Sequence, residues 1–214
     1  DWDQTFASGQ AHGVSDGAAA TAAVTMATAV DAFETSRVAV HKWGSAVMQM
    51  PFVTANSALV SAFASFASEA VVCVAGGGTV QSPLPHKRSE HRGGAALYVG
   101  RAATFPPEKS PGEWAQGPLP ARLTAVDTSI ADVTTLDAAR FVTLRNYGAS
   151  TPGFYITRAP TMAGGGSDYY EHQLRRVADL ASRALYVIGL PFVNLDLDIR
   201  GKPSTDMPPK PAGA

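Results

Sequence analysis

The chain has 214 residues and is 45% hydrophobic, enough for a sizeable core in one large domain or two small ones. Only 16% of residues are charged and the formal net charge is −1, which argues against broad electrostatic attraction to nucleic acid or to a membrane surface. Sparse charge with plentiful Ala, Gly and Thr suits a protein that buries much of its outside against partners.

The single cysteine, Cys73, can form no intrachain disulfide. In the apolar run VVCVA it reads as a small buried hydrophobe rather than a reactive thiol. No apolar run reaches the ~18 residues that a membrane span needs, and no signal peptide is visible. A start at Asp1 and a Pro-rich end lead us to expect a piece of a longer subunit.

Residues 1–13 are polar and contain Gly, with Trp2 and Phe6 as anchors. Ser15 or Asp16 can cap a helix over 17–34. Ala19, Ala22, Ala23, Met26, Val30 and Phe33 fall near one face of it, and Thr21, Thr25 and Thr28 lie on the other. Ser36–Val40 is short and β-branched and predicts a strand. Ser45–Val53 is ambiguous, because Pro51 opposes one continuous helix. A helical pattern returns over 55–69, with Leu59, Phe63 and Phe66 at i, i+4 and i+7. Ala70–Ala75 is a continuous apolar run of strand length, the signature of a strand buried on both faces.

Gly76–Arg92 predicts a Gly/Pro/basic loop. Gly93–Thr104 can be helix or strand; abundant Ala, with Ala96, Val99 and Ala103 on one face, favours helix. Residues 105–135 read as a long irregular stretch with five prolines, Pro106, Pro107, Pro111, Pro118 and Pro120. Thr135 can cap a short helix, LDAARFVTL, and Gly148–Gly153 is a turn before a strand over Phe154–Arg158. Ser167 caps the best helix of the chain, with Tyr170, Leu174, Val177, Ala181 and Ala184 as its buried stripe. Glu171–Arg175 and Asp179–Arg183 are i,i+4 pairs, each worth about 0.2–0.5 kcal/mol. Gly189 and Pro191 end this helix.

The alternation predicts an α/β fold (α+β being the variant), with a partly parallel sheet flanked by helices and a long C-terminal amphipathic helix. Residues 1–200 are expected to form a single α/β domain, and 201–214 a Pro-rich tail or linker.

Chemistry is thin. Gly76-Gly77-Gly78 follows an apolar strand and could cradle a phosphate, but no GKS or GKT follows and no G-x-G-x-x-G opens a helix. A turn is the plainer reading. Gly164-Gly165-Gly166-Ser167-Asp168 reads as capping rather than ligand binding. His86 and His91 lie in PHKRSEH without a Cys or carboxylate cluster, Glu90 apart, so no metal is assigned. Lys87, Arg88, Arg92 and Arg101 make that region locally basic, as a solvated loop or protein contact. Leu195-Asp196-Leu197-Asp198 puts carboxylates on one face of an extended segment, by default a solvated one. No G-x-S-x-G elbow anchors a hydrolase triad. No cofactor and no catalytic residue is assigned.

One ordered set of motifs says more. Thr143-Leu144-Arg145 leads to Gly153-Phe154-Tyr155-Ile156, then Thr161-Met162-Ala163, Gly166-Ser167-Asp168 and Arg176-Val177-Ala178-Asp179. From about residue 93 to 200 this order resembles contractile-tail sheath proteins of phages and related injection machines, and most of all a divergent tail-sheath-like group. Residues 14–75 are similar to the α/β portion that precedes this region in sheath subunits, though without a diagnostic motif.

The resemblance implies a structural protein, not an enzyme. Its copies would stack as rings around a tail tube, with a tube protein and a baseplate as further partners. It implies neither a nucleic-acid nor a membrane partner, and a place in the tail of the virion after assembly in the host cytoplasm. Terminal arms would add strands to neighbours, and subunits would move as near-rigid bodies on contraction. Arg175, Arg176 and Arg183 become candidate contacts to a neighbour or the tube; intrahelical pairing is the simpler role for them. The alternative is a small α/β ligand- or nucleotide-binding enzyme domain that uses the Gly76–Gly78 loop.

Overall fold

The computed structural model describes residues 15–81, 89–120, 122–148 and 153–193. The expectations for Trp2 and Phe6, for His86, Lys87 and Arg88, for Leu195–Asp198 and for the tail after 200 fall outside those residues.

The centre of the fold is β2 (Val71–Val74), every residue of which is buried. It pairs in parallel with β1 (Ala46–Gln49) on one side. On its other side Val142 takes a parallel bridge, through Val142 N to Cys73 O and Ala75 N to Val142 O, both 2.9 Å. Alternate residues of a strand point to opposite faces. Val71, Cys73 and Ala75 accordingly join one apolar cluster, with Met48, Met50, Leu59, Phe63, Leu136 and Phe141. Val72 and Val74 join the other, with Tyr98, Leu119, Val142, Leu144 and Ile156. The apolar run read from sequence is thus a strand between two cores. Burial of Cys73 pushes its thiol up to about 12, as a structural cysteine requires.

Helix α1 (Asp16–Ala39), α2 (Asn56–Ala62) and α4 (Ile130–Ala138) meet the first cluster, and α3 (Gly94–Ala103) the second. A three-stranded antiparallel sheet, ordered β4 (Glu90–Gly93), β3 (Gly77–Val80) and β5 (Leu123–Val126), lies beside them. Strands β6 (Leu144–Asn146) and β7 (Phe154–Ile156) form an antiparallel pair. The last helix is α5 (His172–Gly189), followed by a 3-10 turn at Leu190–Phe192. The mixed α/β class with a parallel pair is as expected.

Several local expectations fail for identifiable reasons. Ser36–Val40 is not a strand; residues to Ala39 are the last turn of α1. That helix ends in a Schellman arrangement, with Lys42 N on Arg37 O and His41 N on Val38 O. His41 takes the left-handed conformation (φ 60) that glycine usually fills. The helix placed over LDAARFVTL is also displaced. Ser129, not Thr135, caps α4, its Oγ accepting from Asp132 N at 3.2 Å. Arg140 (φ 68) ends it, with Phe141 N on Leu136 O and Arg140 N on Asp137 O. Residues from Phe141 onward are claimed instead by β2 and by strand β6.

Gly76–Arg92 contains strands β3 and part of β4, and the stretch 105–135 holds a 3-10 turn, β5 and the start of α4. The helical pattern over 55–69 gives only the short α2, ending at Ala62.

Helix faces differ as well. In α1 the buried apolar positions are Ala20, Ala23 and Ala27, while Ala22, Met26 and Phe33 face solvent. In α3 the predicted helix is present, but Ala96, Val99 and Ala103 form its outer face; Gly94, Tyr98, Arg101 and Ala102 are buried.

Candidate functional site

The two places that sequence singled out are the Gly76–Gly78 segment and the region of α5. The first is structural. Gly76 turns the chain at φ +75, and Gly77 and Gly78 are in the central strand of the antiparallel sheet. A Cβ on Gly77 would collide with Arg92 O, and one on Gly78 would come within 2.5 Å of Leu123 Cδ2 and 2.8 Å of Ala125 O. These glycines are therefore set by the close approach of neighbouring strands. The nearby α3 N-terminus is also occupied from within. Gly94 N donates to Gly76 O at 3.0 Å, and Ala95 N to Gln49 Oε1 at 2.9 Å. The same Gln49 side chain donates to Gly76 O at 2.9 Å. The first two backbone donors of α3 are thus spent on the chain's own acceptors.

His91 meets Asp127 at 2.8 Å and packs edge-on to Phe52. Among the described residues no group of His, Cys, Asp and Glu could hold a metal ion, and no helix is long and apolar enough to cross a membrane. Arg92 pairs with Glu90. Arg101 is not part of a solvated basic patch: it is buried, and its guanidinium donates to Pro118 O at 3.0 Å and Gly117 O at 2.6 Å.

The Gly164–Asp168 segment is a turn, not the start of a helix. Ser167 Oγ donates to Glu69 Oε1 at 2.6 Å and accepts from Tyr169 N at 3.1 Å. Extended pairing then delays the helix. Thr161 N donates to Tyr170 O at 2.9 Å, and His172 N to Ala159 O at 2.8 Å, so α5 begins only at His172 with Glu171 as N-cap. The turn, with Arg140 and Tyr170, lines an open cleft of about 440 Å³.

Helix α5 lies inside-out. Its buried residues are His172 and Asp179, and Arg175, Arg176 and Ser182 are half-buried beside them. The stripe predicted to be buried faces outward instead: Tyr170, Leu174, Val177, Ala181 and Ala184 are all exposed. The polar face is held by specific partners, which explains the inversion. His172 Nε2 is 2.7 Å from Ser45 Oγ, and its Nδ1 is 2.6 Å from the Tyr98 hydroxyl. This clamp ties α5 to α3 and to the segment leading into β1. A neutral imidazole offers one donor and one acceptor, and both are used. Burial, with the Arg176 charge adding to it, lowers the His172 pKa to about 4. Burial also raises the Tyr98 phenol.

The three candidate arginines lie on this helix but do not converge. Arg175 pairs with Asp179 at 3.1 Å, in place of the expected Glu171–Arg175 pair. Glu171 instead meets Arg158 at 3.0 Å. Burial raises the Asp179 carboxyl, against the lowering effect of Arg175 and Arg183. Arg176 reaches into the body, donating from Nη2 to Ala102 O at 3.0 Å and Phe105 O at 2.8 Å. These carbonyls mark the C-terminal end of α3, where a cation is favoured. Arg183 is exposed and donates to Trp43 O rather than pairing with Asp179. Beside it Tyr186 stacks on His41 at 4.4 Å, and Arg37, Lys42 and Trp43 complete the cleft between α1 and α5. Sequence reasoning missed the Ser45–His172–Tyr98 clamp, because its members are 127 and 74 residues apart in pairs.

No family model matches the sequence, and no curated protein matches it. Solved structures do. The contracted helical sheath of the anti-feeding prophage is similar at a TM-score of 0.51 and 17% identity, over 80% of this chain and 45% of that one. The six-fold symmetrised baseplate of the same particle gives a TM-score of 0.48 at 16% identity, over 75% of this chain and 41% of that one. This chain spans less than half the length of the chains it matches. The likeness to the sheath chain is one of fold.

Proposed function

We propose that this chain is the α/β portion of a structural subunit of a phage-type contractile tail sheath. Its copies pack as rings around a tail tube, in contact with a baseplate, within a virion-type tail that assembles in the host cytoplasm. The role is mechanical rather than catalytic. The observation that carries this reading is the fold match to a contracted helical sheath, which agrees with the ordered motifs from Thr143 to Asp179. The inside-out α5 supports it, since an apolar face turned outward suits a subunit that is covered by others. In this role Arg183, exposed at the α1–α5 cleft, is the arginine with reach to a neighbour or the tube. Arg175 and Arg176 hold the helix in place. The alternative, a ligand-binding enzyme domain, is not favoured, because Gly77 and Gly78 are packed as strand and Gly76 is the turn before it.

The test is assembly. The full-length protein, expressed alone at high concentration, is expected to pellet as rings or tubes of uniform width in negative stain. A dispersed protein that takes up nucleotide at the Gly76–Gly78 segment would overturn the reading.

A further inference from the structure

Helix α5 is not the only inverted helix. All four charged residues of α1 turn toward the body. Asp16 Oδ2 accepts from Thr54 N and Ala55 N at 3.0 and 2.9 Å. Asp31 accepts from Ser68, Glu34 is buried, and Arg37 pairs with Glu34 at 2.8 Å. The outer face of α1 therefore carries no charge. Three of its exposed hydroxyls are already paired within the helix: Thr21, Thr25 and Thr28 donate to the carbonyls of Gly17, Thr21 and Val24. Met26, Phe33 and Val40 stand 62%, 59% and 60% exposed on this face.

Both outer faces have the same period. On α1 the series Ala22, Met26, Ala29, Phe33, Ser36, Val40 steps by four and three alternately. On α5 the series Leu174, Val177, Ala181, Ala184, Ile188 steps by three and four in the same way. A strict alternation of three and four is the seam of a helix that packs along another helix. The seams are also matched in length, roughly 20–27 Å at 1.5 Å per residue. Their profiles are complementary in kind: α1 alternates small and large residues, and α5 has its small Ala181 and Ala184 between larger residues.

We propose that the α1 seam of one copy docks on the α5 seam of the next, head to tail. This deepens the reading of the chain as an assembly subunit and rests on it. A second copy is the occupant argued for, because it supplies both seams, and a contact between two different patches repeats into rings or open helices. A pair of α5 seams would instead close into a two-fold dimer. One seam pair makes an interface at the small end of the specific range, below about 1,200 Å². Association through it is therefore concentration-dependent and gains strength from repetition.

Two variants test this, each altering exposed positions: Met26→Glu with Phe33→Glu on α1, and Val177→Glu with Ile188→Glu on α5. Sedimentation velocity of the 214-residue chain is expected to show mass rising with concentration, and each variant monomeric throughout. Mixed together, the variants retain one intact α1 seam and one intact α5 seam. They are expected to form a 1:1 dimer that does not grow. Far-UV circular dichroism and urea midpoints matching the wild type confirm that both fold. A wild-type chain that stays monomeric, an α1 variant that still dimerises, or a mixture that does not associate each overturns the proposal. Full-length protein that still forms tubes with either variant overturns it while leaving the sheath reading intact. Wild-type protein that forms no tubes removes the sheath reading itself.

Discussion

The His172 clamp makes stability depend on pH in a direction that can be worked out. The imidazole is buried between Ser45 and Tyr98, and its pKa falls from 6.5 to about 4 on folding. Between those values the unfolded chain takes up a proton that the folded chain refuses. Stability from this group is therefore fully present above about pH 6.5, falls as the solution is acidified, and levels off below about pH 4. At 1.36 kcal/mol per unit the whole effect is about 3 kcal/mol. Most of it, about 2–3 kcal/mol, is spent by about pH 4.5. With a urea slope of about 2 kcal/mol/M, the midpoint should move down by roughly 1 M. The assay is urea unfolding of wild type and His172→Gln at about pH 7.5 and about pH 4.5. The variant loses the two hydrogen bonds at both pH values but has no imidazole to titrate. Asp137 and Asp179, whose carboxyls burial raises, act in the opposite sense and are common to both proteins. The wild type should lose about 1 M more in midpoint than the variant across this range. Equal losses would refute the reasoning and show that His172 takes up its proton in place.

Three further outcomes follow from the packing. Gly78→Val should lower stability by about 1–3 kcal/mol in urea unfolding, because its first carbon already meets Leu123 and Ala125 O; a neutral effect would show that β3 and β5 can separate freely. Arg176→Ala removes two charged hydrogen bonds to carbonyls at the end of α3 and should cost about 2–4 kcal/mol, with Arg176→Lys recovering part of it. Cys73, buried with its thiol pushed up to about 12, should resist a thiol reagent in the folded protein and react at the global unfolding rate; fast labelling would place it at a surface.

The central strand was legible because a short apolar run buried on both faces has no orientation to get wrong. The existence of α1, α3 and α5 was legible from periodicity for a similar reason. Their orientation was not. A moment along a helix says that two faces differ, and only partners say which face turns inward. For α5 those partners are Ser45, Tyr98, Ala102 and Phe105, all distant in sequence. For α1 they are Thr54, Ala55 and Ser68. Rules drawn from proteins that fold as isolated monomers place apolar stripes inside, whereas here the larger apolar side chains Met26 and Phe33 of α1 and Leu174 and Val177 of α5 face outward. Two helix ends were missed because His41 and Arg140 stand where glycine normally signals a stop.

The candidate arginines show how far local spacing reaches. Spacing allowed Glu171–Arg175 and Asp179–Arg183, and the fold chose Arg158–Glu171 and Arg175–Asp179 instead. Of the chosen pairs only Arg175–Asp179 has helix spacing; Glu171 is drawn off the helix to Arg158, and Arg183 to Trp43 O. Gly76–Gly78 is the converse case. A glycine run after a strand looks like a ligand loop in sequence, whereas here it allows neighbouring strands and α3 to approach.

The most direct test of the account is a cryo-EM reconstruction of the full-length protein assembled at high concentration. The account predicts a ringed or helical tube in which the β2-centred core repeats and the Leu174–Ile188 face of α5 is covered by a neighbouring copy. A protein that remains dispersed, or an assembly in which that face stays open to solvent, would contradict it.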